Sequence, residues 1–162
     1  TGLKFLDHML EQLAKHGNMD IKLVCKGDLE VDEHHTIEDV AITLGEAVGS
    51  ALGDRRGIER YGFVLPMDEV RAEVLLDLSG RAYLIWNLNF NRECIGDVPT
   101  EMFKHFFHSF AIASRSTVHI TACGENEHHL IEAVFKAFSR ALRSAVQREE
   151  NAAFIPSTKG MI

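Results

Sequence analysis

The sequence predicts an α+β fold made by internal duplication of a β-sheet-plus-helices unit, with helices packed on one face of each sheet. Two observations predict it. The string Glu-His-His-x-Ile-Glu occurs at 33–38 and again at 127–132, and each copy opens an apolar run with helical spacing. Between the copies, residues 70–78 and 82–90 alternate apolar and polar side chains, which is typical of strands. A repeated unit with both periodicities is a duplicated α+β domain.

A second agreement between the halves supports the duplication independently. Residues 5–10 align with 102–107, and residues 21–28 align with 118–125, both at an offset of 97 residues. The double-histidine strings are 94 residues apart, so the second copy has a loop three residues shorter before its string. His8 is therefore the counterpart of His105.

The element order follows from these periodicities. A leucine stripe from Leu3 to Leu13 indicates a first helix, and Ser79-Gly80 is a turn between two strands. The predicted order is helix 3–16, strand 20–26, helix 34–53, strands to about 91, helix 99–114, strand 117–123 and helix 127–148.

The turn from Gly53 to Gly57 is the predicted seam between the halves. We therefore assign 1–57 to the first repeat, 58–148 to the second, and 149–162 to a substrate-binding tail. The first repeat has no counterpart of the strand pair at 70–90. If the repeats are equivalent, about 36 residues carrying those N-terminal strands precede Thr1.

Composition excludes some functional classes. The 162 residues include 17 basic and 24 acidic side chains, giving a formal charge of −7, which argues against a general nucleic-acid surface. The three cysteines form no motif and indicate a reducing compartment. No apolar run approaches membrane-spanning length. From the charge we expect no nucleic-acid partner, and from the apolar runs we expect no membrane partner.

Histidine is concentrated at equivalent positions of the two halves, where six of the nine fall. With one aligned glutamate per copy, these side chains suffice for two ions, each with three imidazoles and one carboxylate. The candidate metal ligands are His8, His34, His35, Glu38, His105, His128, His129 and Glu132. We expect His16, His108 and His119 to be solvated or core residues, with His108 an alternative ligand one turn from His105.

The double histidine itself constrains how ions are shared. Adjacent helical residues diverge by about 100°, so two neighbouring imidazoles suit two different ions better than one. Glu38 is four residues after His34 and three after His35, so its carboxylate can share a helix face with either imidazole. Such donors suit Mn, Fe, Zn, Co or Ni. A solvated polar helix start is the alternative interpretation of one string, and it does not explain the recurrence.

Basic and hydroxyl side chains suggest an anion site. Arg60 is predicted at a strand start and Arg81 in the turn between strands, while the tail supplies Ser157, Thr158 and Lys159. Hydroxyls, backbone amides and cations of this kind bind phosphate. For each residue alone, an ordinary surface role is the alternative.

Several motifs together resemble imidazoleglycerol-phosphate dehydratase, an enzyme family of histidine biosynthesis. The resemblance extends from Thr1 to the tail, and it is carried by residues 5–10, 32–39, 52–54, 124–129, 135–138 and 157–160. It implies ribosomal protein S5 domain 2-like repeats and a manganese-dependent lyase with two Mn2+ per subunit. It further implies a homo-oligomer of 24 subunits with metals at subunit contacts, located in the cytoplasm, or in a plastid for a plant protein.

The resemblance also implies site roles. The eight candidate ligands would hold the metals, and Arg60, Arg81, Ser157, Thr158 and Lys159 would bind the substrate phosphate. Glu38 and Glu132 would belong to the catalytic machinery. The family's N-terminal strand carries a catalytic acid, and Asp68 and Glu69 occupy its equivalent in the second repeat. A turn with solvated carboxylates is the alternative for these two residues.

The implied reaction converts imidazole glycerol phosphate to imidazole acetol phosphate by loss of water. The proton to be removed has no carbonyl beside it, so direct abstraction would be slow. A metal on the imidazole ring favours an imidazolate that can expel hydroxide and give a diazafulvene, after which a side-chain base suffices. Two rival functions are a dinuclear hydrolase and a non-enzyme, namely a metal-storage or purely structural protein, and storage proteins of this kind have an all-α scaffold.

Overall fold

The computed structural model describes residues 1–61, 64–148 and 154–160. All four predicted helices are confirmed, with ends within a few residues of the prediction. They are α1 (Lys4–Gly17), α2 (His34–Leu52), α3 (Glu101–Ser114) and α4 (Glu127–Ala145). None of the described helices has the length and apolar character needed to cross a membrane.

Two helices end in the same way at equivalent positions of the repeats. Asn18 after α1 and Arg115 after α3 both adopt left-handed backbone, with φ of 52° and 53°. The amide of the following residue, Met19 or Ser116, donates to the carbonyl of Ala14 or Ala111. This pairing caps the last carbonyls of each helix. The duplication is therefore visible in the helix ends as well as in the sequence.

The second half contains a four-stranded sheet, whose strands are β1 (Val64–Met67), β2 (Val70–Asp77), β3 (Tyr83–Asn87) and β6 (Thr117–Cys123). A separate hairpin joins β4 (Cys94–Ile95) to β5 (Val98–Pro99). The order in the sheet is β1-β2-β6-β3, in which only β3 and β6 pair in parallel and the other neighbours are antiparallel. The sequence did not predict this hairpin, because two-residue strands carry no periodicity.

The core lies between this sheet and the helices. Alternate residues of β2 and β6, such as Val74 and Ile120, are fully buried, while their neighbours face outward. Helices α3 and α4 cover that face of the sheet, α1 packs on α4, and α2 packs on α3. The sheet confirms the α+β prediction and contradicts an all-α storage bundle.

The predicted strand at 20–26 is wrong as a hydrogen-bonded strand. In the second half, β6 lies between β2 and β3, but the structure describes no strand beside residues 20–26 among 1–61. Ile21, Leu23 and Cys25 are half-buried against the core, and the residues between them are exposed. The side-chain alternation was therefore correct, whereas the ladder requires a partner that the periodicity does not supply.

The predicted seam forms turns and is held by a buried arginine. Arg55 has a φ of 59° and is 7% exposed. Its guanidinium donates to the carbonyl of Leu78 after β2 (2.7 Å) and to that of Ser114 at the end of α3 (3.2 Å). Because these acceptors belong to the second half, the seam fastens the end of α2 to the sheet and to α3.

Candidate metal centre

The first cluster of ligand-type side chains lies between α1 and α4. Nε2 of His128 is 3.4 Å from Oε2 of Glu132, one helical turn later, and Nε2 of His8 is 4.0 Å from the same oxygen. One ligand atom from each of the three residues lies within 4.8 Å of the others. Glu132 is largely buried, at 12% side-chain exposure, whereas the two imidazoles reach the surface.

The second cluster lies between α2 and α3. Nε2 of His105 is 3.3 Å from Oε1 of Glu38, and the rings of His105 and His34 have centroids 4.5 Å apart. These three residues also bring ligand atoms within 4.8 Å of one another. A surface depression of about 430 Å³ beside them is lined by His34, His105 and His108, among others.

The two clusters are related by the duplication, and each draws on both halves. His8 of the first repeat meets His128 and Glu132 of the second, while His105 of the second repeat meets His34 and Glu38 of the first. This exchange follows from the helix packing, in which α1 contacts α4 and α2 contacts α3. Each of these two clusters, in its described residues, therefore needs side chains from both repeats.

The remaining histidine of each pair faces elsewhere, as the helical geometry predicted. The rings of His34 and His35 have centroids 6.2 Å apart, and those of His128 and His129 are separated by the same distance. Nδ1 of His35 is 3.0 Å from a carboxylate oxygen of Asp28. This hydrogen bond, followed by the charge of Asp28, raises the pKa of His35 above its usual value.

His129 has an acidic neighbour of its own in the turn between β1 and β2. Its Nδ1 is 3.2 Å from Oε2 of Glu69, whose other oxygen accepts the backbone N–H of Asn126 at 3.0 Å. The pKa of Glu69 is lowered, first by a hydrogen bond from its own backbone amide and then by those from His129 and the Asn126 amide. Asp68, in left-handed backbone with φ of 48°, completes a third group with Glu69 and His129. The structure thus places both turn carboxylates beside a double histidine.

The donors at both principal clusters fit a divalent ion. Nε2 of His105 is buried and has no hydrogen-bond partner among the described residues, although it faces Glu38. A buried polar nitrogen without a partner is costly unless a ligand satisfies it. Two imidazoles and a carboxylate per cluster are ligands that Mn2+, Fe2+ and Zn2+ accept. The chemistry of the residues therefore agrees with metal binding.

The start of each double-histidine helix is fixed by a short polar side chain. Asn126 accepts the amides of His128 (3.0 Å) and His129 (3.4 Å) at the beginning of α4. At α2, Asp32 accepts the amide of His34 at 2.9 Å. These caps satisfy first-turn amides and hold the adjacent imidazoles to one backbone geometry.

The predicted anion residues lie in three places. Arg60 makes two hydrogen bonds to Asp77, from Nε (2.5 Å) and Nη2 (3.0 Å), and donates from Nη1 to the Pro156 carbonyl (2.7 Å). Both side chains are largely buried. The pKa of Arg60 is raised, chiefly by its hydrogen bonds to the Asp77 carboxylate. Arg60 therefore holds the tail at Pro156.

The other predicted anion residues are more exposed. Arg81 lies between β2 and β3, where its backbone N–H donates to Ser79 and its carbonyl accepts the Thr117 hydroxyl. In the tail, the Lys159 amide donates to the Ser157 hydroxyl at 3.2 Å. Ser157 is half-buried, whereas Thr158 and Lys159 are exposed. The tail thus presents a tight turn whose side chains face outward.

Comparison with known proteins identifies the family. The family model described as imidazoleglycerol-phosphate dehydratase matches residues 1–142. The chain belongs to the imidazoleglycerol-phosphate dehydratase family. It is 56% identical over its full length to the histidine biosynthesis bifunctional proteins HisB of Spirosoma linguale and of Bacteroides fragilis. The chain spans 43% of the length of each of these relatives.

Solved imidazoleglycerol-phosphate dehydratases have the same fold. The Staphylococcus aureus structure is 39% identical, with a TM-score of 0.85, and the match covers 91% of this chain and 85% of that one. The Pyrococcus furiosus structure is 34% identical, with a TM-score of 0.88, covering 100% of this chain and 88% of that one. The fold predicted from the repeated strings is therefore the dehydratase fold.

Sequence reasoning missed a cationic neighbour of the first cluster in this dehydratase-family chain. Nζ of Lys136 is 2.8 Å from Oε1 of Glu132, and it also contacts the Met67 sulfur at 3.5 Å. Burial would raise the pKa of Glu132, but the hydrogen bond and charge of Lys136 lower it. Lys136 follows Glu132 by four residues on a helix, and this spacing was the available signal.

The three histidines without a counterpart in the other repeat lie outside both clusters. Two of them are near the surface, and the third lies near Lys136 and Arg140. His108 is exposed at the rim of the depression, and His119 is on the outer face of β6. His16 is half-buried, and burial followed by the charges of Lys136 and Arg140 lowers its pKa. A small cationic region therefore adjoins the first cluster.

Proposed function

We propose that this chain dehydrates imidazole glycerol phosphate to imidazole acetol phosphate in histidine biosynthesis, as a carbon–oxygen lyase. The observation that carries the proposal is the pair of matching His-Glu clusters in a chain of the imidazoleglycerol-phosphate dehydratase family. The curated relatives are named histidine biosynthesis bifunctional proteins, and the chain spans less than half of their length. The proposed activity is the one that the matched family describes.

Each cluster would hold one Mn2+. His8, His128 and Glu132 would bind one ion, and His34, Glu38 and His105 the other. When bound, the ions would withdraw electron density from the substrate imidazole and so favour departure of the adjacent hydroxyl group. The imidazole-carboxylate donor set supports a metal of this class, and manganese is the member that the family resemblance favours.

His35 and His129 support a shared site between subunits. Each cluster contains two imidazoles of its own chain, while these two rings point away from both clusters. We infer that each supplies the third imidazole to a cluster of a neighbouring copy. The ions would then lie at subunit contacts of a homo-oligomer, for which the resemblance implies 24 subunits.

The chain's own carboxylates would move the protons. Loss of water breaks the C–O bond beside the imidazole and the C–H bond on the neighbouring carbon, so a base must accept the C–H proton and the departing hydroxide must take up a proton. The enol that this leaves tautomerises to the ketone. Glu69 is ionised at neutral pH, since its pKa is lowered, and it is held by Asn126 and beside His129. Glu69 is thus the favoured base and Asp68 its neighbour, while Glu38 and Glu132 would contribute to catalysis as ligands of the two ions.

Phosphate binding would place the substrate relative to the clusters. The Arg60 guanidinium donates to the Pro156 carbonyl, so it sets the direction in which Ser157, Thr158 and Lys159 extend. The tail hydroxyls and Lys159, with Arg81, would provide the donors for the phosphate.

A turnover assay tests the proposal. The full chain, loaded with Mn2+, is incubated with imidazole glycerol phosphate, and imidazole acetol phosphate is measured beside inorganic phosphate. We expect the ketone product without phosphate release, and no product after treatment with a chelator. Phosphate release without dehydration would instead support the dinuclear hydrolase.

We also propose the cytoplasm as the location, with a plastid for a plant protein, and localisation of a fluorescent fusion tests this.

A further inference from the structure

The loop between β3 and α3, which includes the β4–β5 hairpin, contacts the beginning of α1 in the other half of the chain. The Asp97 carboxylate accepts the backbone amide of Lys4 at 2.6 Å and that of Phe5 at 2.9 Å. These are the first two residues of α1, whose own cap, Leu3, provides no side-chain acceptor. Asp97 therefore satisfies first-turn amides that the local sequence leaves open.

The other end of the same loop is fastened to α4. The Glu127 carboxylate accepts the amide of Asn91 at 2.6 Å and that of Arg92 at 3.1 Å. Glu127 is the first residue of α4 and is 8% exposed. The two hydrogen bonds therefore join the loop to the first turn of α4.

The two helices joined by this loop carry the first cluster. His8 is one turn after Phe5 on α1, and His128 follows Glu127 on α4. The Phe5 ring lies edge-on to the His128 ring, with centroids 5.2 Å apart, and 6.3 Å from that of His8. Phe5 thus contacts both imidazoles, and any shift of the start of α1 alters their separation.

The backbone of the loop also packs closely against α1. Gly96 has a φ of 61°, and a Cβ at this position would lie 2.9 Å from the Phe5 Cβ. Only glycine suits both the backbone conformation and this approach. The loop therefore bridges α4 and α1 through two carboxylates and one close backbone contact.

We propose that Asp97 is a positioning residue for the first cluster: by holding the first turn of α1, it sets the distance of His8 from His128 and Glu132. The charged carboxylate also stabilises the helix through its dipole. The proposal rests on the proposed function only in that this cluster binds a divalent ion. At the second cluster, the first turn of α2 has an acceptor of its own, Asp32, at the His34 amide.

Titration of the metal-free full chain with Mn2+, in competition with a chromophoric chelator, tests the proposal without measuring turnover. Asp97→Ala is expected to weaken the binding of one of the two ions by about ten-fold, because the first turn of α1 loses its cap and no longer holds His8 in one position. Asp97→Asn retains an acceptor and is expected to lose less. Asp54→Ala, an exposed acid paired with Arg56, is the matched control and is expected to match wild type.

A double-mutant comparison separates positioning from general damage. In a His8→Ala background only the second cluster is expected to bind Mn2+, so Asp97→Ala should leave the affinity for that remaining ion unchanged if it acts on the first cluster alone. Equal losses in both backgrounds, or unchanged affinity of Asp97→Ala and Asp97→Asn, would overturn the positioning role while the metal assignment stands. A wild-type chain that binds no Mn2+ would overturn the metal assignment, and the Asp97 proposal with it.

Discussion

Nε2 of His105 lies 3.3 Å from Oε1 of Glu38, and these groups come from opposite halves of the chain. The equivalent exchange brings His8 towards Glu132. Duplication of a unit can leave two separate sites, one in each copy. Here the helices of the two copies pack against each other, so the copies build both clusters jointly.

Removing one histidine from each cluster is expected to remove one ion at a time. The wild-type chain is expected to bind two Mn2+. His8→Ala and His105→Ala should each bind one Mn2+, and the double variant should bind none. Each cluster loses one of the imidazoles of its own chain. Metal analysis after dialysis measures this, with His108→Ala as the control that keeps both ions. Full metal content in both single variants would refute the cluster assignment.

The outward histidines are expected to couple metal binding to assembly. His35→Ala and His129→Ala should lower metal content and turnover although neither ring belongs to a principal cluster of its own chain. Chelation of wild type should also shrink the assembly, measured by light scattering. Restoring Mn2+ to the chelated wild type is the control and should restore its size. An assembly of unchanged size after chelation would count against sites shared between subunits.

Two glycines of α2 offer a matched test of helix packing. A Cβ at Gly45 would lie 2.7 Å from the Phe110 carbonyl oxygen and 2.9 Å from the Ser114 nitrogen, both backbone atoms of α3. Gly45→Ala should therefore force the helices apart, destabilise the fold by about 1–3 kcal/mol, and weaken metal binding between His34 and His105.

Gly49→Ala is the control for this substitution. A Cβ at Gly49 meets nothing closer than 3.9 Å, so alanine fits there without movement. Its better helix propensity should stabilise the chain by up to about 1 kcal/mol. Denaturant unfolding in the presence of a chelator measures both variants, and equal effects at the two positions would contradict the close approach of α2 and α3.

Asp77 is expected to influence substrate binding through Arg60 and the tail. Asp77→Asn weakens the two hydrogen bonds that hold the guanidinium, so the Pro156 carbonyl loses a fixed donor. We expect KM to rise about ten-fold with a smaller change in kcat, together with faster trypsin cleavage after Lys159. Glu73→Gln, also on β2 but paired with the exposed Arg71, is the control. Unchanged KM and unchanged cleavage would contradict this coupling.

His16 is expected to make stability dependent on pH. Its folded pKa lies below the ordinary 6.5 because of burial and the charges of Lys136 and Arg140. The unfolded chain therefore takes up a proton at a higher pH than the folded chain. Stability should decrease as the pH falls below 6.5, and this loss ends once the pH is below the folded pKa.

Thermal unfolding in a chelator buffer measures this effect. The decrease in Tm between about pH 7.5 and about pH 5.5 should be smaller in His16→Gln than in wild type. Arg140→Gln removes one of the charges that lower the pKa and should give an intermediate decrease. An identical decrease in wild type and His16→Gln would show that His16 does not contribute to acid sensitivity.

The sequence by itself determined the duplication, the helices and the identity of the ligand-type residues. Helical and alternating periodicities are local, so they specified α1 to α4 and the main strands to within a few residues. The divergence of adjacent helical residues also predicted that His34 and His35 face different surroundings, and the structure agrees. The metal assignment itself and the repeat boundaries stay predictions.

Tertiary structure alone decided which residues meet. Local periodicity does not reveal that α1 packs on α4, so it did not indicate that His8 approaches Glu132 across the repeats. Nor did it show that Asp97 caps a helix in the other half of the chain, because that contact joins residues distant in sequence. The strand predicted at 20–26 illustrates the same limit. Side-chain burial follows a local pattern, but hydrogen bonds between elements require a partner whose position is fixed only by the packing of the whole chain.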